Sequence, residues 1–170
     1  MYIDDCSHSF DHLANIVLPA HMARLREQLL LAKPALEFAA EKEGPASVAR
    51  RFGLSGDFSG CYVLIEADRP IYVGISRKVL SRLRQHLRGK THFDASLVYA
   101  VAQRRCPTPG HRSTVMESPV FQRAFADAQA YLCSLRVAFV QIENPLELYV
   151  FEAYAAMNLG TYEWNTFRTH

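Results

Sequence analysis

Two short apolar runs lie so close together that they admit one arrangement. Cys61–Glu66 and Ile71–Ile75 are separated only by a short polar turn, "EADR". Runs this short, rich in Val, Ile and Tyr, read as β-strands, and so brief a connection joins them as an antiparallel hairpin. A helix, "SRKVLSRLRQHLRG", follows at once. Its apolar residues Val79, Leu80, Leu83 and Leu87 recur at helical spacing, Ser76 can cap its start, and Gly89 stops it. A hairpin running into a helix is therefore the fixed point of the fold.

Upstream, Leu18, Met22, Leu25 and Leu29 form one stripe of a helical segment over residues 10–43, which Pro34 ends or kinks. "ASVARRF" suits a short helix, and "GLSGDFSG" reads as the connection into the first strand. Downstream, "DASLVYAVAQRR" and "SPVFQRAFADAQAYLCSL" are helical, with "CPTPGHRST" as the loop between them. "RVAFVQIE" is a third strand. Asn144 and Pro145 open a final helix, with Glu147 three residues after the cap, and Gly160 closes it before an aromatic, polar tail. The expected fold class is α/β (α+β): a small three-stranded antiparallel sheet flanked by helices. The expected division is an N-terminal helical extension over 1–58 and a domain over 59–170, with an inserted helix and loop around 106–133.

Of 170 residues, 49% are hydrophobic, enough for a core and against disorder as a global description. No apolar run approaches the roughly 20 residues of a membrane span. The N-terminus is acidic and polar, without the layout of a secretory signal, so a cytoplasmic location without a membrane partner is expected. Cys6, Cys61, Cys106 and Cys133 make no C-x-x-C pair and no zinc spacing, which favours free, mostly buried thiols. His8 and His12 read as part of a solvated tail. The net charge of +2 hides an asymmetry: Arg69 to Arg112 holds ten Lys or Arg against one acid, Asp94. That clustering suits a polyanion such as nucleic acid, against the plainer reading of a solvated basic face.

On the helix after the hairpin, Lys78, Arg82 and His86 recur at four-residue intervals. Arginine offers planar, bidentate hydrogen bonding to phosphate and stays charged. Arg77, Lys78, Arg84, Arg88 and Lys90 are the candidate nucleic-acid-binding cations of this stretch. The final helix is apolar nearly all round, with Leu146, Tyr149, Val150, Ala153 and Met157 on one side and Leu148, Phe151, Ala155 and Leu159 over much of the rest. Such a helix is expected to be buried, yet Glu152 sits in its middle. An unpaired buried carboxylate costs several kcal/mol. The pattern leaves two readings open, a buried salt bridge to an arginine or a ligand to a cation. Tyr62 and Tyr72 share a face of the hairpin only if its register puts them there.

Taken together these residues resemble the GIY-YIG nuclease signature. "GCY" at Gly60–Tyr62 stands for its first tripeptide and "YVG" at Tyr72–Gly74 for its second. Arg82 matches the family's helical arginine, His86 a histidine one turn later, Glu152 a glutamate on a later helix, and Asn165 an asparagine beyond it. The resemblance covers roughly residues 60–167 and makes the expected fold GIY-YIG-like. Cys61 and Val73 depart from the usual aliphatic residues, and the stretch from Arg82 to Glu152 is longer than in minimal members.

The resemblance implies a divalent-metal-dependent endonuclease that hydrolyses nucleic-acid phosphodiesters, with DNA as the first expectation. It implies one Mg²⁺ or Mn²⁺ ion on Glu152, a water positioned by Tyr62, and Tyr72 orienting water or phosphate. Arg82 would stabilise charge on phosphoryl oxygens, with His86 assisting, and Asn165 would fix local geometry. The rival reading is a non-cleaving module of the same fold that binds nucleic acid or protein. The N-terminal helices could also serve a homodimer or a protein partner.

Overall fold

The computed structural model describes residues 3–167; Met1, Tyr2 and the end of the expected tail, 168–170, lie outside them. The N-terminal helical run comprises α1 (Phe10–His12), a π-helical turn (Leu13–Val17) and α2 (Leu18–Leu30). Next come β1 (Lys33–Pro34), a 3-10 turn (Ala35–Phe38) and α3 (Pro45–Arg51). The hairpin is β2 (Gly60–Glu66) and β3 (Arg69–Ser76), followed by α4 (Val79–Arg88) and α5 (Ser96–Arg105). The chain continues through α6 (Arg112–Glu117), α7 (Pro119–Cys133), β4 (Arg136–Gln141) and α8 (Pro145–Leu159).

The sheet has four strands, in the order β1-β4-β2-β3, where three were expected. The extra strand is the two-residue β1. Proline drives the residue before it out of the helical region and toward extended backbone. Of the two outcomes expected at Pro34, an end or a kink, the helix ends, at Leu30, and Lys33–Pro34 is extended. Inside the helical run, Pro19 has no amide to donate back to Asn15, and the ladder widens into the π-turn just before it. The other departure is α6, whose first half falls within the stretch read as loop. No Pro or Gly lies between His111 and Glu117 to stop a helix there.

Contacts divide the chain into two compact units. The first holds the described parts of Met1–Lys33, Asp57–Val79 and Arg136–His170. Here β2 runs antiparallel to both β3 and β4. One face of these strands carries Cys61, Val63, Ile65, Val73, Ala138 and Val140, and packs on α2 through Leu18, Met22 and Leu25 and on α8 through Leu148, Phe151 and Ala155. Burial of large aliphatic and aromatic side chains of this kind stabilises by about 1.5–3 kcal/mol each. The α8 caps form as expected: Asn144 Oδ1 accepts from the amides of Leu146 and Glu147, and Gly160 closes the helix at φ 66°. Burial all round α8 does not hold, because Tyr149 is 72% and Met157 82% exposed. His8 is also not simply solvated. Its Nε2 lies 3.6 Å from Glu147, whose other oxygen accepts from His21 Nε2 at 2.9 Å.

The second unit holds Pro34–Gly56 and Leu80–Leu135. Helix α7 buries Phe121, Phe125, Ala128 and Leu132, a stripe at helical spacing, and packs on α5. Phe38 stacks on Phe52 at 4.8 Å. This unit carries eleven Lys or Arg against six Asp or Glu, a net +5, while the rest of the chain carries −3. All four cysteines are free, with Cys6 and Cys61 buried and Cys106 and Cys133 half-buried. Among the described residues no helix is long and apolar enough to cross a membrane.

Candidate active site

The hairpin turns through Ala67 and Asp68, whose φ values are 42° and 69°. Two successive positive φ angles match the twist of a two-residue hairpin loop. The register then sets Tyr62 opposite Gly74 and Leu64 opposite Tyr72, with a one-residue shift between Leu64 and Ile65. Tyr62 and Leu64 share a face, so the two tyrosines share it too. Their ring centroids are 6.2 Å apart with planes at 51°. Tyr62 is buried, at 1% exposure, whereas Tyr72 is half-buried.

Both motif glycines are explained by close approach. A Cβ on Gly74 would lie 2.5 Å from both Cζ and Oη of Tyr62, so that ring rests on the bare backbone of β3. A Cβ on Gly60 would collide with the carbonyl oxygen of Val140 on β4. On β3, Asn165 acts as a surrogate strand. Its Oδ1 accepts from the Val73 amide at 2.9 Å and its Nδ2 donates to the Val73 carbonyl at 2.7 Å. The side chain thus satisfies both main-chain groups of the residue between Tyr72 and Gly74, on a strand at the end of the sheet. These two bonds tie the C-terminal segment to β3.

Glu152 lies on α8, half-buried rather than enclosed. It makes no ion pair or hydrogen bond among the described residues, so the salt-bridge reading finds no partner there. Burial pushes its carboxyl above the ordinary carboxylate range. Its charge reaches Cys61, whose thiol is pushed up first by burial and then by Glu152. Cys61 points to the face that α8 covers, the face of β2 opposite Tyr62. This neighbour of Glu152 carries no signal in the sequence until the register is known. Among the described residues no group of three or more His, Cys, Asp or Glu could hold a metal ion.

The remaining candidates belong to α4 or its approach. Arg82 donates to the Asp94 carbonyl at 3.1 Å, to Ser96 Oγ at 2.8 Å and to Gln85 Oε1 at 3.2 Å. The fork is held in one orientation while remaining part-exposed. Ser96 was not among the expected residues. Arg84 and Arg88, expected on nucleic acid, donate to the Ala40 and Ala39 carbonyls at 3.1 and 2.9 Å. Arg77, Lys78 and Lys90 are exposed.

His86 does not sit on the polar face. It is 1% exposed, because it lies seven residues after Val79 and three after Leu83, within the apolar stripe. Burial first, and the nearby Arg82 charge second, push its pKa down to about 3 from 6.5. The imidazole is therefore neutral near pH 7 and supplies no positive charge. A lowered histidine pKa means the unfolded chain binds more protons below pH 6.5. Stability from this group is complete above 6.5 and falls as pH drops toward 3. Denaturation of wild type and His86→Leu at several pH values should show a wild-type slope steeper by up to about 1.4 kcal/mol per pH unit. Parallel profiles would mean that His86 titrates normally.

Residues 58–107 match the family model described as the GIY-YIG catalytic domain. The match takes in β2, β3, α4 and α5, with Tyr62, Tyr72, Arg82 and His86, and ends before Glu152 and Asn165. Comparison with curated proteins gave no match, and neither did comparison with solved structures.

Proposed function

We propose that this chain, whose residues 58–107 match the family model described as the GIY-YIG catalytic domain, is a divalent-metal-dependent endonuclease acting on DNA phosphodiesters. The observation that carries the reading is the tyrosine pair, two phenols 6.2 Å apart on one face of the matched hairpin.

In this reading Tyr72, the more open ring, holds the attacking water through its hydroxyl, the role first expected of Tyr62, which is only 1% exposed. Tyr62 rests on Gly74 and fixes the position of its partner. The water oxygen bonds to phosphorus, the bond from phosphorus to the 3′ oxygen breaks, and the departing oxygen takes a proton. The products carry a 5′ phosphate and a 3′ hydroxyl. A free phenol has a pKa near 10, so proton removal from the water depends on nearby positive charge. Arg82, oriented by Ser96 and the Asp94 carbonyl, stabilises charge that develops on the phosphoryl oxygens. His86, buried and neutral, positions α4 rather than touching substrate.

Glu152 fits a hard cation. It is a half-buried carboxylate without a protein cation among the described residues, and such ions accept a single carboxylate while keeping waters and substrate oxygens. When bound, one Mg²⁺ or Mn²⁺ supplies charge stabilisation for the leaving 3′ oxygen.

The test is incubation of the full chain with plasmid DNA, and with RNA, in Mg²⁺, Mn²⁺ or EDTA. Nicking or cutting of DNA with either metal and none in EDTA, leaving ligatable 5′-phosphate ends, is expected. Cleavage that persists in EDTA overturns the reading. The burial of Tyr62 and His86 favours one alternative, a module that binds nucleic acid without cutting. It would retard DNA in a gel and leave it intact in every buffer.

A further inference from the structure

The second unit carries an open cavity of about 530 Å³ on its surface that the catalytic reading leaves without a role. Its size is that of a small-molecule site. The walls include Phe93, Met116 and Phe125, from the loop after α4, from α6 and from α7. Phe93 is 78% exposed, an unusual position for a large aromatic ring. It is also held firmly. His92, itself buried, lies against Phe93 at 3.9 Å, Tyr99 against His92 at 5.9 Å, and Phe121 against Tyr99 at 5.2 Å. An aromatic ladder rooted in the core thus ends in one open ring at the cavity.

The polar lining narrows the occupant. Gln129 donates one of its two amide hydrogens to the Gly89 carbonyl at 2.9 Å, and its side-chain oxygen is an acceptor. Glu117 adds a carboxylate, also an acceptor, and Lys90 adds an exposed cation. A flat ring that stacks on Phe93, donates from an amino group to these acceptors and carries a phosphate toward Lys90 satisfies all three. The net charge of +5 on this unit favours a polyanion as the bearer of that ring.

We propose that this cavity receives one unpaired nucleobase with an exocyclic amine, extruded from the nucleic acid that the chain acts on. The inference rests on the nucleic-acid reading above and adds to it a preference for a bulged or otherwise unpaired nucleotide. Extruding such a base costs less than opening a pair, which makes the pocket selective for distorted sites.

Fluorescence anisotropy in EDTA at low salt separates binding from cleavage. Three labelled duplexes serve as probes: fully paired, with a single unpaired cytosine, and with an abasic bulge in its place. Wild type should bind the cytosine bulge about tenfold tighter than the abasic one. Phe93→Ala, at an exposed position, and Met116→Trp, which fills the cavity, should each abolish that difference and leave paired-duplex affinity unchanged. Equal wild-type affinity for both bulges, or a preference that survives both substitutions, overturns the pocket while the nuclease reading stands. Failure to bind any of the three overturns the nucleic-acid reading and the pocket with it.

Discussion

Glu152→Gln should leave the chain folded and lower metal-dependent DNA cleavage by at least about 10²- to 10³-fold, the loss typical when one charge-stabilising element of a site is removed. The amide keeps the shape of the side chain and removes the charge. The stability change separates a functional acid from a structural one. Burial holds the Glu152 carboxyl above its ordinary range, so the folded state binds its proton more tightly than the unfolded chain does. That contribution is present at low pH and lost as pH rises through the raised value, so the ionised form at neutral pH works against folding. Glu152→Gln should therefore unfold at the same temperature as wild type or a higher one at pH 7. A salt-bridged glutamate would give the reverse, with a lower melting temperature and little change in cleavage. Full cleavage by Glu152→Gln, in a preparation free of other nucleases, would remove this residue from the site.

The hairpin was legible because its signals are local. Two β-type runs and a short polar turn determine each other, and the helix after them carries an apolar stripe at regular spacing. The caps of α8 were legible for the same reason, since Asn144, Pro145 and Gly160 act within one turn. What escaped depends on which face a neighbour covers. His86 was read with Lys78 and Arg82 by four-residue spacing, although its offset from Val79 and Leu83 already put it in the buried stripe. Tyr149 and Met157 have core chemistry, and only packing reveals that they face outward. Arg84 and Arg88 look like phosphate ligands in sequence and serve the Ala39 and Ala40 carbonyls in the fold. Those carbonyls are more than forty residues away, beyond any periodicity. β1 was missed because two residues give no pattern, and the link from Glu152 to Cys61 because it exists only once α8 lies on the sheet.

Gly74→Ala should be costly for a reason that a double-mutant cycle can isolate. The new methyl would sit 2.5 Å from Cζ and Oη of Tyr62, inside any permitted contact, and a buried ring has little room to retreat. Overpacking of this kind costs about 1–3 kcal/mol. It would also turn the Tyr62 ring away from Tyr72, so cleavage should fall more than stability does. Tyr62→Leu removes the colliding ring atoms and keeps an apolar side chain in place. In that background Gly74→Ala should cost little further stability, giving a coupling energy of about 0.5–3 kcal/mol. Gly60→Ala provides the contrast. Its methyl would meet the main-chain oxygen of Val140, which no side-chain substitution can withdraw, so Tyr62→Leu should not rescue it. Denaturant titration of the single and double variants measures both couplings. Strict additivity of Gly74→Ala with Tyr62→Leu would mean that the tyrosine ring does not rest on β3, and the paired-phenol geometry on which the proposed chemistry depends would fall with it.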